Sequence, residues 1–333
     1  MNYPKISIVT PSYNQFEYIE ETILSVIQQN YPNLEYIIID GGSTDGSIEI
    51  IKKYEKYLSY WISEPDTSHA NALNKGFAKS TGEIMAWINS DDKYFPWSFN
   101  TIAEVYSQNP DVLWTVGAYS NIDENGILLT EGSRAVSLVY KNVYSYLFKD
   151  LHIQQESVFW RRSLWDLAGG KLNEDISLLI DTELWCRFFL HAKLWHIPQP
   201  IGCFRISGFN RSFGNNIQVL FDIEKTNQFL RSNLPKAILD GLSLIEKYNQ
   251  QLNHYYKEIG NVNSRIRNNP LFSILPYFMY DSFCNFLYSK ICRFRNINEP
   301  QKPMHDTFKF YSLKKEQNNW SMNLLPYEFP HLV

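Results

Sequence analysis

The chain has 333 residues, of which 44% are apolar and 16% aromatic, and its formal net charge at pH 7 is −4. The length suits one large domain or two, and the slightly negative charge gives no reason to expect nucleic acid as a partner. Four cysteines without CxxC spacing indicate neither a zinc site nor a disulfide framework. The sequence shows no signal peptide and no apolar run of the ~18–20 residues that a membrane span needs. We therefore expect a cytoplasmic protein, either free or peripheral at the inner face of the membrane.

The first third of the chain alternates short apolar strands with helices. Strands are predicted at ISIVT (Ile6–Thr10) and at the later segments LEYIIID, YWIS and EIMAWI. Helices are predicted between them, where apolar residues recur at helical spacing as in YIEETILSVIQQN. Short links between alternating strands and helices are typical of a doubly wound, mostly parallel α/β sheet. Ligands of such sheets bind beyond the carboxyl ends of the strands, which is where TPSYN, DGGSTDG, SEPD and NSDD lie.

The pattern changes from Asp111 onwards. A hairpin is predicted from VLWTVGAYS and GILLT, a strand and helix from ESVFWRRSLWDLAGG, a helix from LLIDTELWCRFFLHA, and two short strands around PQP. We place a boundary near 212–216 and expect residues 213–333 to be helical. Within that region, residues 265–302 carry six Lys or Arg and two acids beside many aromatic residues. Two alternatives stay open for this segment: contact with an anionic membrane surface, or packing of a C-terminal helix on the catalytic domain.

The NSDD motif brings two adjacent acids to the end of a predicted buried strand. Hard divalent cations take oxygen ligands, commonly one or two carboxylates plus substrate phosphates, so Asp91 and Asp92 could hold Mg²⁺ or Mn²⁺. Asp92 could instead cap a helix that begins near Pro96 or Trp97. Both can be true, with Asp91 on the metal and Asp92 structural.

Two further turns carry candidate binding residues. In TPSYN, Tyr13 could stack on a flat base while Thr10 or the backbone makes hydrogen bonds, although an ordinary strand-to-helix turn has the same composition. In DGGSTDGS, Asp45 suits a helix N-cap, whereas Asp40 could accept a hydrogen bond from a base or a ribose. Neither a Walker motif nor GxGxxG is present, so the fingerprints of ATP and dinucleotide loops are absent.

The segment LLIDTELWCRF places Asp181 and Glu183 near a predicted helix start. A carboxylate there could simply complement the helix dipole. A carboxylate that faces a cleft could be a general base that deprotonates an acceptor hydroxyl. The residues alone leave both alternatives open.

Taken together in this order, TPSYN, DGGSTDGS, SEPD, ALNKG, NSDD and DTELWCRF resemble the inverting, metal-dependent glycosyltransferases of family 2, which have the GT-A fold. The resemblance covers about residues 4–212. It implies a GT-A catalytic domain, 1–212, with a nucleotide-sugar-binding half at 1–110 and an acceptor half at 111–212. The helical region 213–333 has no counterpart in the resemblance, and contact with a membrane surface or a partner stays open for it beside packing on the catalytic domain.

The resemblance also implies roles for single residues. Asp91 is the expected ligand of Mn²⁺ or Mg²⁺, and Asp181 is the expected base. Donor binding is implied for Thr10, Pro11, Tyr13, Asp40, Asp66, Asn74, Lys75 and Ser90. Secondary positions near the donor sugar or the acceptor are implied for Asp92, Gln155, Glu156, Glu183 and Arg205.

The implied reaction moves a sugar from a nucleotide-diphospho-sugar, with a UDP-sugar as the first expectation, to a hydroxyl of a glycan or lipid-linked acceptor. The anomeric configuration inverts, and the implied setting is bacterial surface polysaccharide synthesis. The alternative is a non-catalytic scaffold or binding protein that keeps the GT-A fold. The sequence carries no signal for an oligomeric state.

The chain departs from the family pattern at several positions. Gly41 stands where relatives often have a second acid after the second strand, and Asn89 replaces the first Asp of DxD, which leaves fewer carboxylates for a metal. Ile180 stands where many relatives have Glu, so Asp181 is what remains of that acidic pair. Ser207 replaces a frequent His. Asp91 and Asp181, on which the expected chemistry depends, are both present.

Overall fold

The computed structural model describes residues 3–133, 153–208, 216–233, 310–316 and 319–325. The described residues up to Leu230 and the two short C-terminal ranges belong to one compact unit. Within these ranges, no helix has the length and apolarity needed to cross a bilayer. The basic and aromatic segment 265–302 lies outside the described residues, so its predicted membrane or packing role stays a prediction.

The first third of the chain forms the predicted alternation of strands and helices. Its strands are β1 (Ile6–Ser12), β2 (Leu34–Asp40), β3 (Tyr60–Ser63) and β4 (Ile84–Trp87), and its helices are α1 (Ile19–Ile27), α2 (Ser47–Lys53) and α3 (His69–Lys79). These four strands pair in parallel in the order β3-β2-β1-β4. The doubly wound, mostly parallel arrangement is therefore confirmed, and the carboxyl ends of these strands meet at one edge.

The described residues from 93 to 233 add further strands to the sheet and four α-helices. The elements are β5 (Lys93–Tyr94), α4 (Ser98–Gln108), β6 (Trp114–Asp123), β7 (Leu128–Ser133), β8 (Val158–Arg161), α5 (Arg162–Leu167), α6 (Ile180–His191), β9 (Leu194–Pro200), β10 (Gly202–Ile206) and α7 (Asn216–Asn233). The predicted β6–β7 hairpin is confirmed as an antiparallel pair. The two strands around PQP are also present, although β9 continues through both prolines because it is hydrogen-bonded to β6 over most of its length.

The region after residue 212 differs from the helical prediction near the C-terminus. Helix α7 agrees with it, but Phe310–Glu316 and Asn319–Leu325 form two antiparallel strands, β11 and β12. Strand β11 pairs in parallel with β9, so within the described ranges the main path of the twelve-stranded sheet runs β12-β11-β9-β6-β8-β4-β1-β2-β3, and β5, β7 and β10 pair beside it. Strand pairing with an existing sheet edge overrides the local helical pattern, since an open edge offers a row of unsatisfied backbone groups.

Two packing features fix the elements around the carboxyl edge. Gly76 lets α3 lie directly against β1, because a Cβ at this position would collide with the side chain of Val9. Trp87 at the end of β4 stacks on Trp185 of α6, with ring centroids 5.6 Å apart and an interplanar angle of 15°. Both indoles are almost fully buried. This stack ties the helix that carries Asp181 to the strand that leads into NSDD.

Candidate active site

The carboxyl ends of β1 and β2 lie side by side and border the region beyond the strand ends where ligands of such sheets bind, which we call the crevice. Tyr13, directly after β1, is 64% exposed, whereas Thr10 and Pro11 are buried within the strand. The Thr10 hydroxyl lies 3.1 Å from the hydroxyl of Tyr36 in the interior. The side chains of Thr10 and Pro11 belong to the sheet, so their predicted contact with a nucleotide base stays a prediction that concerns the backbone of this segment. Tyr13 is the member of that predicted trio whose ring is open to a ligand.

Gly41 leaves a gap between Tyr13 and Asp66. A Cβ on Gly41 would lie 3.2 Å from Tyr13 Cδ2 and 3.4 Å from Asp66 Oδ2, so the ring and the carboxylate line the same small space. Lys75 closes it on one side, since its Nζ lies 2.7 Å from Asp66 Oδ1 and 2.7 Å from Glu64 Oε1. The predicted donor residues Tyr13, Asp66 and Lys75 are thus brought together, and Gly41 joins them as the residue that keeps the space open.

Asp40 has a different place from the predicted one. Its side chain is completely buried. It accepts hydrogen bonds from the backbone N–H groups of Gly42 and Ser43 at 3.1 and 2.9 Å, and from the hydroxyls of Ser43 and Ser63 at 2.5 and 2.6 Å. Four donors satisfy a carboxylate. Asp40 therefore shapes the glycine-rich turn after β2, and the prediction that it contacts a base or ribose is corrected.

Asn74 also has a structural place. Its amide donates to the Leu172 carbonyl at 3.1 Å and to Glu174 Oε1 at 2.9 Å, and its oxygen accepts the Leu172 N–H at 2.8 Å. The expected donor contact of Asn74 is therefore replaced by a clamp on the loop that precedes α6. The predicted N-cap role of Asp45 is wrong, because Gly46 is the N-cap of α2 and has no side-chain cap, although the Asp45 carboxylate accepts the N–H of Ser47, the first residue of the helix, at 3.0 Å.

The NSDD turn is held by amide side chains. Asn89 Nδ2 donates to Asp92 Oδ2 at 3.1 Å and to Gln155 Oε1 at 3.3 Å, and Gln155 in turn donates to the Trp87 carbonyl at 2.7 Å. Ser90 is buried within the turn. Gln155 and Ser90 thus shape the turn, and their predicted contacts with a substrate stay predictions.

The helix-cap alternative for Asp92 is wrong. Helix α4 begins at Ser98 with Trp97 at its N-cap and no side-chain cap. The buried carboxylate of Asp92 instead accepts the backbone N–H of Arg205 at 2.8 Å. Asp92 therefore ties the turn to β10 across the crevice floor.

Arg205 is the cation that fixes this turn. Its Nε donates to the Asp91 carbonyl at 2.7 Å, its Nη1 to the carbonyls of Asp123 and Glu124 at 3.2 and 2.9 Å, and its Nη2 to Glu21 Oε2 at 2.6 Å. The side chain is 1% exposed. All three nitrogens are thus occupied by protein groups. The predicted contact with donor sugar or acceptor is corrected, because Arg205 instead positions the backbone of Asp91 through its carbonyl.

Four acidic residues converge beyond β4. Burial raises the pKa of Asp91, and burial together with the charges of Glu156 and Asp91 raises that of Asp92. Burial, with repulsion from Asp181 and Asp91, raises the pKa of Glu156 to about 7 although Asp92 hydrogen-bonds to it. Two carboxyl groups that hydrogen-bond to each other hold a proton between them. The predicted secondary residues Asp92 and Glu156 therefore form one acid pair beside Asp91 and Asp181.

The two acids of the DTE motif, Asp181 and Glu183, have different surroundings on helix α6. Asp181 lies in its first turn, where one carboxylate oxygen accepts the N–H of Thr182 at 2.7 Å. Glu183 points the other way: it is 1% exposed and forms two hydrogen bonds, of 2.9 and 2.8 Å, with the guanidinium of Arg187. Glu183 is therefore part of a buried ion pair within the helix, and its predicted acceptor contact is corrected.

A divalent cation fits the groups around Asp91. The Asn89 Oδ1 atom is buried and has no hydrogen-bond partner, and Asp91 supplies a carboxylate two residues further on. Among the described residues, no group of three or more His, Cys, Asp or Glu side chains has the arrangement of a metal site. One carboxylate and one amide oxygen suit an Mg²⁺-like ion, which takes its remaining ligands from substrate phosphates and water.

Glu21 is a residue of the site that the sequence analysis did not single out for function. It lies in the first turn of α1, where the sequence pattern indicates only a helix-dipole role. Its carboxylate instead receives Arg205 at 2.6 Å and Lys93 at 3.3 Å. The sequence around Glu21 does not distinguish a helix-dipole role from an ion pair, because the two cations that pair with it come from β10 and β5.

The model of the protein family "Glycosyl transferase family 2" matches residues 7–213, more than half of the chain. The chain belongs to this family. A glycosyltransferase from Bacillus subtilis named TuaG, described as putative in teichuronic acid biosynthesis, is 40% identical over 94 residues, or 27% of this chain and 37% of that protein. An uncharacterized glycosyltransferase from Mycobacterium tuberculosis is 35% identical over 202 residues, or 60% of this chain and 73% of that protein. The matches to the first three curated relatives span 30 to 41% of their lengths.

Solved structures confirm the GT-A fold of this family member. The S. aureus TarS fragment 1–349 in complex with UDP-GlcNAc superposes with a TM-score of 0.57 at 15% identity, covering 92% of this chain and 96% of that one. The mannosyltransferase PcManGT from Pyrobaculum calidifontis, in complex with GDP-Man and Mn²⁺, gives a TM-score of 0.55 at 14% identity, covering 90% of this chain and 89% of that one.

Proposed function

We propose that this family 2 protein is an inverting, metal-assisted glycosyltransferase that moves a sugar from a UDP-sugar to a hydroxyl of a glycan or lipid-linked acceptor. Its setting would be the assembly of a bacterial surface polysaccharide. The observation that carries the proposal is the packing of α6, which bears Asp181, on the strand that leads into Asp91, since Trp185 stacks on Trp87 beside the strand ends that also present Tyr13. A base, a cation site and a flat ring within one crevice are the parts that sugar transfer needs.

The comparisons support the choice of donor and setting. TarS binds UDP-GlcNAc and PcManGT binds GDP-Man with Mn²⁺, so nucleotide-diphospho-sugars are ligands of proteins with this fold. TuaG is described as acting in teichuronic acid biosynthesis, which supports a surface polysaccharide as the product. The space between Tyr13, Gly41 and Asp66 is where we place the base of the donor, with Lys75 beside it. The division into halves at residue 110 and the role of residues 213–333 remain part of the proposal.

The proposed reaction is a single displacement. Asp181 accepts the proton of the acceptor hydroxyl while that oxygen attacks the anomeric carbon. The bond from this carbon to the diphosphate breaks on the opposite face, so the configuration inverts. A divalent ion on Asp91 and the Asn89 oxygen would supply positive charge against the departing diphosphate.

Replacement of Asp181 by asparagine tests the base. We expect Asp181→Asn to lower kcat by 100-fold or more, on the order of general-base catalysis, while the donor still raises the melting temperature as in the wild type. The assay follows release of nucleotide diphosphate from UDP-, GDP- and dTDP-sugars with Mn²⁺. Asp166→Asn is the matched control, because Asp166 is an exposed acid on the neighbouring helix α5.

A second variant tests the cation site. Asp91→Ala should remove the part of the melting-temperature increase that requires Mn²⁺ together with the nucleotide, since Asp91 is the proposed carboxylate ligand. Wild-type protein whose melting temperature responds to neither ligand at millimolar concentration would contradict the proposal. Unchanged sugar transfer by Asp181→Asn would remove the base assignment, and a wild type that binds donors without any transfer would favour the non-catalytic scaffold.

A further inference from the structure

The loop between α5 and α6 leads directly into Asp181 and receives a buried carboxylate from α7. Asp222 of α7 is fully buried. Its Oδ2 atom accepts the backbone N–H groups of Leu178, Leu179 and Ser177 at 2.6, 3.1 and 3.2 Å. These three residues immediately precede α6, so one carboxylate from a distant helix collects the N–H groups at the entrance of the helix that carries the proposed base.

The start of α6 needs such an acceptor. The first N–H groups of a helix have no partner within the helix and are usually satisfied by the side chain of the N-cap residue. Here the N-cap is Leu179, which has no side-chain acceptor. A carboxylate also complements the positive end of the helix dipole. Asp222 supplies an acceptor from α7, and it binds the N–H group of Leu179 itself and those of the two residues before it, so that it caps the entry to the helix.

Other contacts hold Asp222 and the loop in place. Gln218 donates to Asp222 Oδ1 at 2.9 Å, and Lys225 donates to the Asp175 carbonyl of the loop at 2.6 Å. On the donor side of the crevice, Asn74 is bound to Leu172 of the same loop. The loop is thus fastened at both ends, to α3 beside the donor pocket and to α7 next to Asp181.

Electrostatics agree with a charged cap. Burial by itself would raise the pKa of Asp222, but hydrogen bonds from Leu178, Gln218, Leu179 and Ser177 outweigh it, and the pKa lies below its ordinary value. Asp222 is therefore ionised at neutral pH and acts only as an acceptor. It lies beyond residue 213, where the match to the family model ends.

We infer that Asp222 is a positioning residue for sugar transfer: by capping α6 from α7, it fixes the first turn of that helix and hence the carboxylate of Asp181. The inference rests on the proposed function, in which Asp181 is the base. Helix α7 thereby contributes to the active site, because it sets the position of Asp181, which lies on α6.

The test compares two substitutions at Asp222 with a matched control. Asp222→Ala should lower kcat about 10- to 100-fold, the cost of a base displaced by about 1 Å, while the KM for the donor stays within about twofold. Asp222→Asn should recover kcat to within about threefold, because its amide oxygen can still accept the three N–H groups. Glu224→Ala, which removes an exposed acid from the same helix, should behave as the wild type.

The effect must also depend on Asp181. In the Asp181→Asn background, Asp222→Ala should change the residual kcat by less than about twofold. The reason is that Asp222 acts by positioning the Asp181 carboxylate, and this variant no longer has that carboxylate. Wild-type kcat in Asp222→Ala would overturn the inference, as would equal losses in the alanine and asparagine variants or a full further loss in the Asp181→Asn background. If Asp181→Asn alone transfers sugar normally, the proposed function fails as well.

Amide hydrogen exchange tests, without any substrate, whether Asp222 fixes the first turn of α6. In Asp222→Ala, the amides of residues 177–184 should exchange at least about tenfold faster than in the wild type, since the cap secures the first turn of α6. The same amides in Glu224→Ala should keep the wild-type rate. Equal exchange in Asp222→Ala and the wild type would show that Asp222 does not fix this turn and would refute the inference.

Discussion

Replacing Arg205 with methionine tests whether a buried cation holds the turn that carries Asp91. Methionine keeps much of the volume but donates no hydrogen bond. It therefore removes the donors to the carbonyls of Asp91, Asp123 and Glu124 and to the carboxylate of Glu21, which lie 2.6 to 3.2 Å from the guanidinium. Glu21 is 44% exposed, so water can replace its lost partner. The buried Asp91 turn has less access to water.

The size of the effect follows from these contacts. Breaking a buried ion pair by removing one partner costs ~3–5 kcal/mol, and the exposure of Glu21 places Arg205→Met near the lower end, at about 3 kcal/mol. For a domain of this size, each kcal/mol lowers the melting temperature by about 2–4 °C. We therefore expect a decrease of about 6–12 °C. Arg205→Lys should recover only part of it, because one ammonium group cannot reach the acceptors that the planar fork of arginine contacts.

The functional readout is the stabilisation by Mn²⁺ and UDP-sugar together. Once the Asp91 carbonyl loses its donor, the turn should move, and the joint thermal shift should be smaller than in the wild type. Arg162→Met is the matched control: Arg162 donates to the Gly82 carbonyl and the Ser80 hydroxyl at 2.8 and 2.9 Å, before β4 begins. That variant should lose stability but keep the full ligand response. The reasoning is refuted if Arg205→Met melts within 2 °C of the wild type or responds to the ligands as Arg162→Met does.

Two further predictions concern the donor pocket and the dependence of stability on pH. Gly41→Ala should push the Tyr13 ring away from Asp66 and raise the donor KM about three- to tenfold, as expected for a weakened aromatic contact, with little change in melting temperature; unchanged KM would contradict the pocket. Burial by itself would raise the pKa of Glu35, but hydrogen bonds from neighbouring donors hold it at about 2, below the ordinary 4.5. The folded state therefore binds this proton less readily than the unfolded state. Its stabilisation, up to about 3 kcal/mol, is present above pH 4.5 and is lost as pH falls towards 2. Urea unfolding should show the stability difference between wild type and Glu35→Gln shrinking over that range, and a constant difference would contradict the assignment.

The positions of the site residues along the sheet could be predicted from the sequence. Each buried parallel strand is a short apolar run, so its end is visible wherever polar residues begin. Tyr13 and Asp91 follow such runs, and parallel pairing brings those ends together. The sequence therefore sufficed to locate the crevice and to bring the two residues to it.

The direction of each side chain could not be predicted in the same way. Asp40 ends β2 and Asp66 follows β3, yet Asp40 turns inward to four donors while Asp66 borders the open space beside Gly41. The difference arises from the conformation of the turn and from donors contributed by other strands, such as Ser63. Arg205 shows the same limit, because its acceptors come from three separate parts of the chain.

Helix α7 shows how a distant contact can reverse the usual rule for surface helices. Its apolar side chains at Ile217, Leu220 and Phe221 recur at helical spacing, which would normally mark the buried face. In the structure these three are exposed, whereas Asp222 and Thr226 are buried. Asp222 accepts the N–H groups of Ser177, Leu178 and Leu179 ahead of α6, which requires that its own face of α7 turns inward. This face of α7 is therefore held inward by polar contacts with a segment more than 40 residues earlier in the chain.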